Sequence, residues 1–186
     1  MIHDLDRRMD EKVSAQATGK HEIVDSLDRE FARLHSRSST IIRSTPVDIL
    51  YAAGEPDRDP GNNSGRNSSR SVGDSVLRCA ATIEQTFGGI TSSLWDDPFE
   101  WTLPEYLSTP VKVIEHLEEV EATRKRAFSS FSDDSCLLKR VSTPSEQTQP
   151  LIELLLETLI RATHFQSQAA VTLKNLSGIS TPGFII

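Results

Sequence analysis

Glu22-Ile23-Val24-Asp25-Ser26-Leu27-Asp28-Arg29-Glu30-Phe31-Ala32-Arg33-Leu34, running on to Ile41-Ile42-Arg43-Ser44, is the stretch that decides the fold. Ile23, Val24, Leu27, Phe31, Leu34, Ile41 and Ile42 recur at three- and four-residue steps, which gathers them on one face of a helix over residues 22–44. Pro46 ends it, because the residue before a proline is pushed out of helical geometry. A short helical turn is expected at Val47–Tyr51.

Three further segments carry the same period. Val76, Leu77, Ala80, Ala81, Ile83 and Phe87 predict a second helix over 72–87, ended by Gly88-Gly89. Ser108 or Thr109 can cap a third, with Pro110 in its first turn and a stripe of Val113, Ile114, Leu117, Val120, Ala127, Phe128 and Phe131. Its acids Glu115, Glu118, Glu119 and Glu121 precede Arg124, Lys125 and Arg126, which suits the helix dipole, and Glu121–Lys125 is a favourable pair. Ser132-Asp133-Asp134 is expected to end it. A fourth helix is expected from Thr148 or Gln149, with Pro150 in its first turn, up to Gly178. Its buried face is read as Ile152, Leu155, Leu156, Leu159, Thr163, Ala169, Ala170 and Leu173. Leu137–Val141 is an extended piece or one helical turn, and no convincing β-alternation occurs elsewhere. These segments predict an all-α chain, one antiparallel four-helix bundle over residues 21–176. Residues 1–20 and 177–186 are expected to be tails. Residues 54–70 hold no large apolar side chain and are expected to form a long disordered loop between helices one and two.

Composition narrows the function. The net charge is −7 over 186 residues, and basic residues sit among acids, so nucleic acid is not an expected partner. No apolar run is long enough to span a bilayer, and the N-terminus lacks a signal-peptide core. Two cysteines, Cys79 and Cys136, form no CxxC motif and no disulfide framework. A cytoplasmic setting without membrane contact is expected.

One resemblance covers residues 72–175. Ser75-Val76-Leu77-Arg78-Cys79-Ala80-Ala81-Thr82-Ile83-Glu84 is followed by an aromatic connection with Trp95 and Trp101. A helix then opens at Thr109-Pro110, and a later one carries Arg161-Ala162-Thr163-His164-Phe165-Gln166-Ser167-Gln168. In order and spacing the chain resembles the DinB-like superfamily of four-helix bundles. That resemblance implies a homodimer. It also implies a metal site of one His early in helix two and a His-x-x-x-His pair in helix four, followed by Gly-Gln; some members are similar to metal-dependent thiol transferases. Two His at i and i+4 share a helix face, and a third from a facing helix completes an open site. In this chain Arg78, Arg161 and Phe165 stand at the ligand positions, and Ser167 replaces the Gly before Gln168. Neither Arg nor Phe ligates a divalent cation, so no metal and no other cofactor is expected.

The expected site is a pocket for a small anionic ligand, lined by Arg78, Glu84, Trp95, Arg161, His164, Phe165 and Gln168. Buried arginines need acidic partners or an anion; Glu84 and Glu157 are candidate partners, and Glu157–Arg161 is a favourable i,i+4 pair. The competing reading makes these side chains a salt-bridge network tying helices together. Trp95, Trp101 and Tyr106 either roof the pocket or anchor the connection to the core. Cys79 is either activated by Arg78 or buried and inert. His164 is read as a partly exposed helical His. His35 and His116 stand apart from other ligands, and Glu115, Glu118 and Glu119 are read as a solvated face around His116. Two other functions stay open: a nickel- or zinc-dependent thiol transferase using His164 with Glu or Cys ligands, and a protein-interaction module built on the 54–70 loop.

Overall fold

A computed structural model describes residues 21–52, 70–96, 106–143 and 148–181. The expected tail at 1–20, residues 54–69 of the expected loop, Trp101 and the last five residues lie outside them. Among the described residues the chain is all-α with one small hairpin. The elements are α1 (Glu22–Ser44), a 3-10 turn (Val47–Ile49), α2 (Val72–Ser92), α3 (Pro110–Ser129), a 3-10 segment (Asp134–Leu138), β1 (Arg140–Ser142), β2 (Thr148–Pro150) and α4 (Leu151–Ser177). No described helix is long and apolar enough to cross a membrane.

The helix starts have local causes. Ser71 Oγ accepts the Asp74 N–H at 3.0 Å and donates to the Asp74 carboxylate at 2.7 Å, a reciprocal cap on α2. Thr109 accepts the Lys112 N–H at the start of α3, with Pro110 in the first turn as expected. α1 is capped from afar: the Asp134 carboxylate accepts the N–H groups of Ile23 and Val24 at 3.2 and 2.9 Å. That places a negative charge on the positive end of the helix.

The expected faces are largely buried. Val24, Leu27, Phe31, Leu34, Ile41 and Ile42 of α1 join Val76, Leu77, Ala80, Ile83 and Phe87 of α2 in one apolar core. Phe31, Phe87 and Phe128 meet at its centre, with ring centroids 5.1–5.9 Å apart. Ile23 lies outside the core, 48% exposed. On α4, Leu155, Ala169, Ala170 and Leu173 are buried as expected. Leu151, Leu154, Ala162 and Gln166 are buried with them, whereas Leu156 and Thr163 face solvent. Gln166 is sealed completely, and its amide donates to Leu34 O and Ser38 Oγ, both at 2.7 Å.

Helix directions correct the antiparallel expectation at two interfaces. Ser38–Cys79 and Phe31–Phe87 contacts run α1 against α2. Asp28–Arg124 and His35–Glu118 run α1 against α3, and Thr86–Thr158 with Arg70–Gln168 run α2 against α4. α2 and α3 are parallel: Tyr51 rests on Gly73 while its hydroxyl bonds Leu107 O, and further along Glu84 faces His116. α1 and α4 are parallel as well. Seventeen residues, 93–109, separate α2 from α3, enough chain for the two helices to run the same way.

Three boundaries also differ. α2 runs through Gly88-Gly89 to Ser92 and closes on Ser93 in the left-handed region (φ 55°), whose N–H bonds the Gly88 and Gly89 carbonyls. α3 ends at Ser129, and α4 starts at Leu151 rather than Thr148 or Gln149. Thr148–Pro150 instead pairs antiparallel with Arg140–Ser142, and each strand is too short for alternation to be visible in sequence.

Gly89 is required by packing. A Cβ there would lie 2.3 Å from the Trp95 ring. Gly89→Ala is expected to destabilise by about 1 kcal/mol net, the overpacking cost of about 1–3 kcal/mol less a helix-propensity gain of about 1 kcal/mol. Trp95 emission, read in a Trp101→Phe background, should shift to the red as the ring is displaced. An unshifted spectrum with raised stability would refute this packing.

Candidate functional site

An open groove of about 530 Å³ lies between α2 and α3, with Glu84, Gly88, Leu94, Asp96, His116 and Arg126 among its lining residues. Parallel helices bring Glu84 and His116 level with each other. Beyond Ser93 the chain doubles back along α2, with Trp95 packed on Gly89 and Gln85 Nε2 donating to Trp95 O at 2.9 Å. That return delivers Asp96 to the wall of the groove.

The Glu84–His116 pair is the chemical centre of the groove. Glu84 Oε2 lies 3.9 Å from His116 Nε2, too far for a hydrogen bond, and this oxygen is removed from solvent with no hydrogen-bond partner among the described residues. Burial pushes the Glu84 carboxyl above the usual carboxylate range, opposed by His116 and reinforced by the charge of Glu119. Arg126 sits ten residues beyond His116 on α3, about 15 Å along the helix at 1.5 Å per residue.

A second charged cluster lies inside the protein. Arg124 is 2% exposed and donates from Nε and Nη2 to the two Glu121 oxygens, both at 2.7 Å, in a bidentate pair. Its Nη1 reaches the Asp28 carboxylate, and Lys125 Nζ lies 3.4 Å from Glu121 as the sequence suggests. Burial alone would raise the Glu121 carboxyl; the Arg124 hydrogen bonds and charge outweigh it and hold the carboxyl low. Between this cluster and Cys79 is a void of about 10 Å³, room for one water at most. Cys79 is 1% exposed and its thiol is pushed up to about 12 by burial, which makes it inert.

The residues expected to share one pocket are spread over two places. Glu84 lines the groove and Trp95 braces its back wall. His164, Phe165 and Gln168 lie on α4, joined by Arg70. The Arg70 guanidinium stands 5.7 Å over the Phe165 ring and bonds Gln168 Oε1 at 3.3 Å, while Gln168 Nε2 lies 3.0 Å from His164 Nε2. Arg78 is half-buried, and Arg161 and Tyr106 are exposed. His116 and His35 each stand beside a carboxylate from another helix, Glu84 and Glu118, instead of standing apart. Among the described residues, no three His, Cys, Asp or Glu side chains come close enough together to hold a metal ion.

Asp96, His116, Arg126 and the buried Arg124–Glu121 pair are absent from the sequence-based site. One signal for Arg124 was present: the α3 stripe Val113–Leu117–Val120 resumes at Ala127–Phe128, and position 124 fills the gap on that face. Compared with protein-family models, with curated proteins and with solved structures, the chain finds no match.

Proposed function

We propose that this chain is a DinB-like helical-bundle protein that lacks the family's three-histidine metal site and binds a small molecule in the groove between α2 and α3. The groove carries this reading. Its volume falls within the range of small-molecule sites, roughly 300–1,000 Å³, and a few polar groups converge on it from two helices and a loop. Arg78, Arg161 and Phe165 at the family's ligand positions support the metal-free part. The homodimer implied by the resemblance belongs to the same proposal.

The test is a fragment screen on the ¹⁵N-labelled full chain, with elemental analysis of the untagged protein. Hits should shift the amides of Glu84, Gly88, His116 and Thr123 as one set, and metal should fall far below one ion per chain. Hits scattered over the surface would overturn the groove. About one bound nickel or zinc per chain, lost on His164→Ala, would overturn the metal-free reading in favour of a thiol transferase.

Arg70 favours a second reading. It puts a cation beside Gln168, Phe165 and His164 at the α2–α4 seam, where a small anion would bind. Inorganic phosphate shifting amides there, and not in the groove, would select it.

A further inference from the structure

We propose that the solvent face of α4 pairs antiparallel with the same face of a second copy of this chain. The inference rests on the proposed homodimer and deepens it by naming the surface and the direction of pairing.

Leu156, Ile160 and Val171 are exposed, Ile160 to 70%. With Thr163 and Ser167 between them they recur at steps of three and four, which sets them in one stripe along the side of α4 away from the core. Single exposed apolar side chains are ordinary, whereas a contiguous set marks a contact surface. Ile23 widens this one. The Gln166 amide bonds Leu34 O, so α1 and α4 are level at those residues. Eleven residues back along each of these parallel helices, about three turns, stand Ile23 and Leu155. Exposed Ile23 therefore lies at the α1–α4 seam beside Leu156.

Charge selects the occupant. The acids of α4, Glu153 and Glu157, lie in its first two turns, and its Arg161 and Lys174 lie beyond them; all four are exposed. A parallel copy would set like charge on like charge. An antiparallel copy centred near Thr163 sets Glu153 against the partner's Lys174, Leu156 against the partner's Val171, and Ile160 against the partner's small Ser167. That centre overlaps α4 along its whole length, and a two-fold axis makes every one of these contacts twice. Antiparallel pairing also opposes the two helix dipoles.

The experiment compares sedimentation velocity of the full chain across the micromolar range with that of Ile160→Glu, Glu153→Lys, Lys174→Glu and the double reversal. The unaltered chain should dimerise reversibly, and the amides of Leu156, Ile160, Ser167 and Val171 should shift with concentration as one set. Ile160 lies outside the core, so Ile160→Glu should weaken the dimer at least tenfold with helicity unchanged. Glu153 and Lys174 stand about 30 Å apart along α4, too far to meet within one chain. Each single reversal should weaken the dimer several-fold and the double reversal should restore it, a recovery that only pairing between chains gives. A double reversal as weak as its singles would overturn the antiparallel pairing. A dimer indifferent to all four variants would overturn the face and leave a homodimer formed elsewhere. A chain that stays monomeric at every concentration would overturn both, and a shift of the same stripe by anionic lipid vesicles in that monomer would give the face to a membrane surface.

Discussion

Arg124→Met is expected to lower the stability of the folded chain by about 3–5 kcal/mol at neutral pH, the usual cost of removing one partner from a buried ion pair. For a chain of this size that is a fall of about 6–20 °C in Tm. Methionine replaces the buried stem, so the loss is electrostatic. Glu121, 5% exposed, would be left with His35 and with Lys125, whose own side chain is largely in solvent and contributes little. The pH dependence gives a second signature. In the native protein the Glu121 carboxyl is held below its unfolded value, so the pair's contribution is complete above the ordinary Glu range, about 4.3. It is lost as pH falls through the lowered folded value. In Arg124→Met the same carboxyl is buried without its guanidinium, its folded value rises, and acidification relieves the variant by protonating it. The difference between the two proteins should therefore narrow from pH 7 to pH 4 in urea denaturation. Glu121→Leu combined with Arg124→Met removes both charges and should recover most of the loss. A single-variant loss under about 1 kcal/mol, or one independent of pH, would contradict the buried pair.

That pair also marks where sequence reading stops. α1 was legible at both ends, because an uninterrupted apolar stripe lies between a polar start and Pro46. The start of α3 was legible because Thr109-Pro110 is a local signal. Gly88-Gly89 misled because a glycine pair reads as a stop, while here Gly89 clears space for a ring six residues on. Arg124 was hidden by its type. A charged side chain flanked by Lys125 and Arg126 reads as surface, although its position continues the buried stripe. The groove depended on more than pattern. Glu84 meets His116 only because α2 and α3 are parallel, and that direction follows from a connection whose path no periodicity encodes. Asp96 enters by a reversal of the chain held by the Gln85–Trp95 bond. Of the residues expected in one pocket, Glu84 alone lines the groove. The α4 group assembled instead around Arg70, a residue just ahead of α2 with no apolar pattern to place it.

Phe87→Ala is expected to cost about 3–5 kcal/mol, the range for deleting a fully buried aromatic ring. Phe87 is completely buried, edge-on to Phe31 of α1 and tilted against Phe128 of α3. The ring has more than its own area to hold. A short loop fixes two helices as antiparallel neighbours whatever the core contains, but α2 and α3 are parallel and joined by a long connection. Their side-by-side placement is therefore fixed chiefly by what they bury together, and Phe87–Phe128 is the aromatic part of that contact. Loss of the ring should loosen the α2–α3 interface ahead of α2–α4, where Thr86 and Thr158 hydroxyls still meet at 2.8 Å. Native-state hydrogen exchange on the variant would then show earlier opening in the second half of α3, around Phe128, than in α4. Phe87→Leu, which keeps most of the volume, should cost less than half as much. In a cycle with Phe31→Leu the pair should retain a coupling of about 0.5–1.5 kcal/mol. A Phe87→Ala loss below about 1.5 kcal/mol, or uniform loosening of every helix, would mean that the rings fill space without fixing the parallel pair, and the groove would need another support.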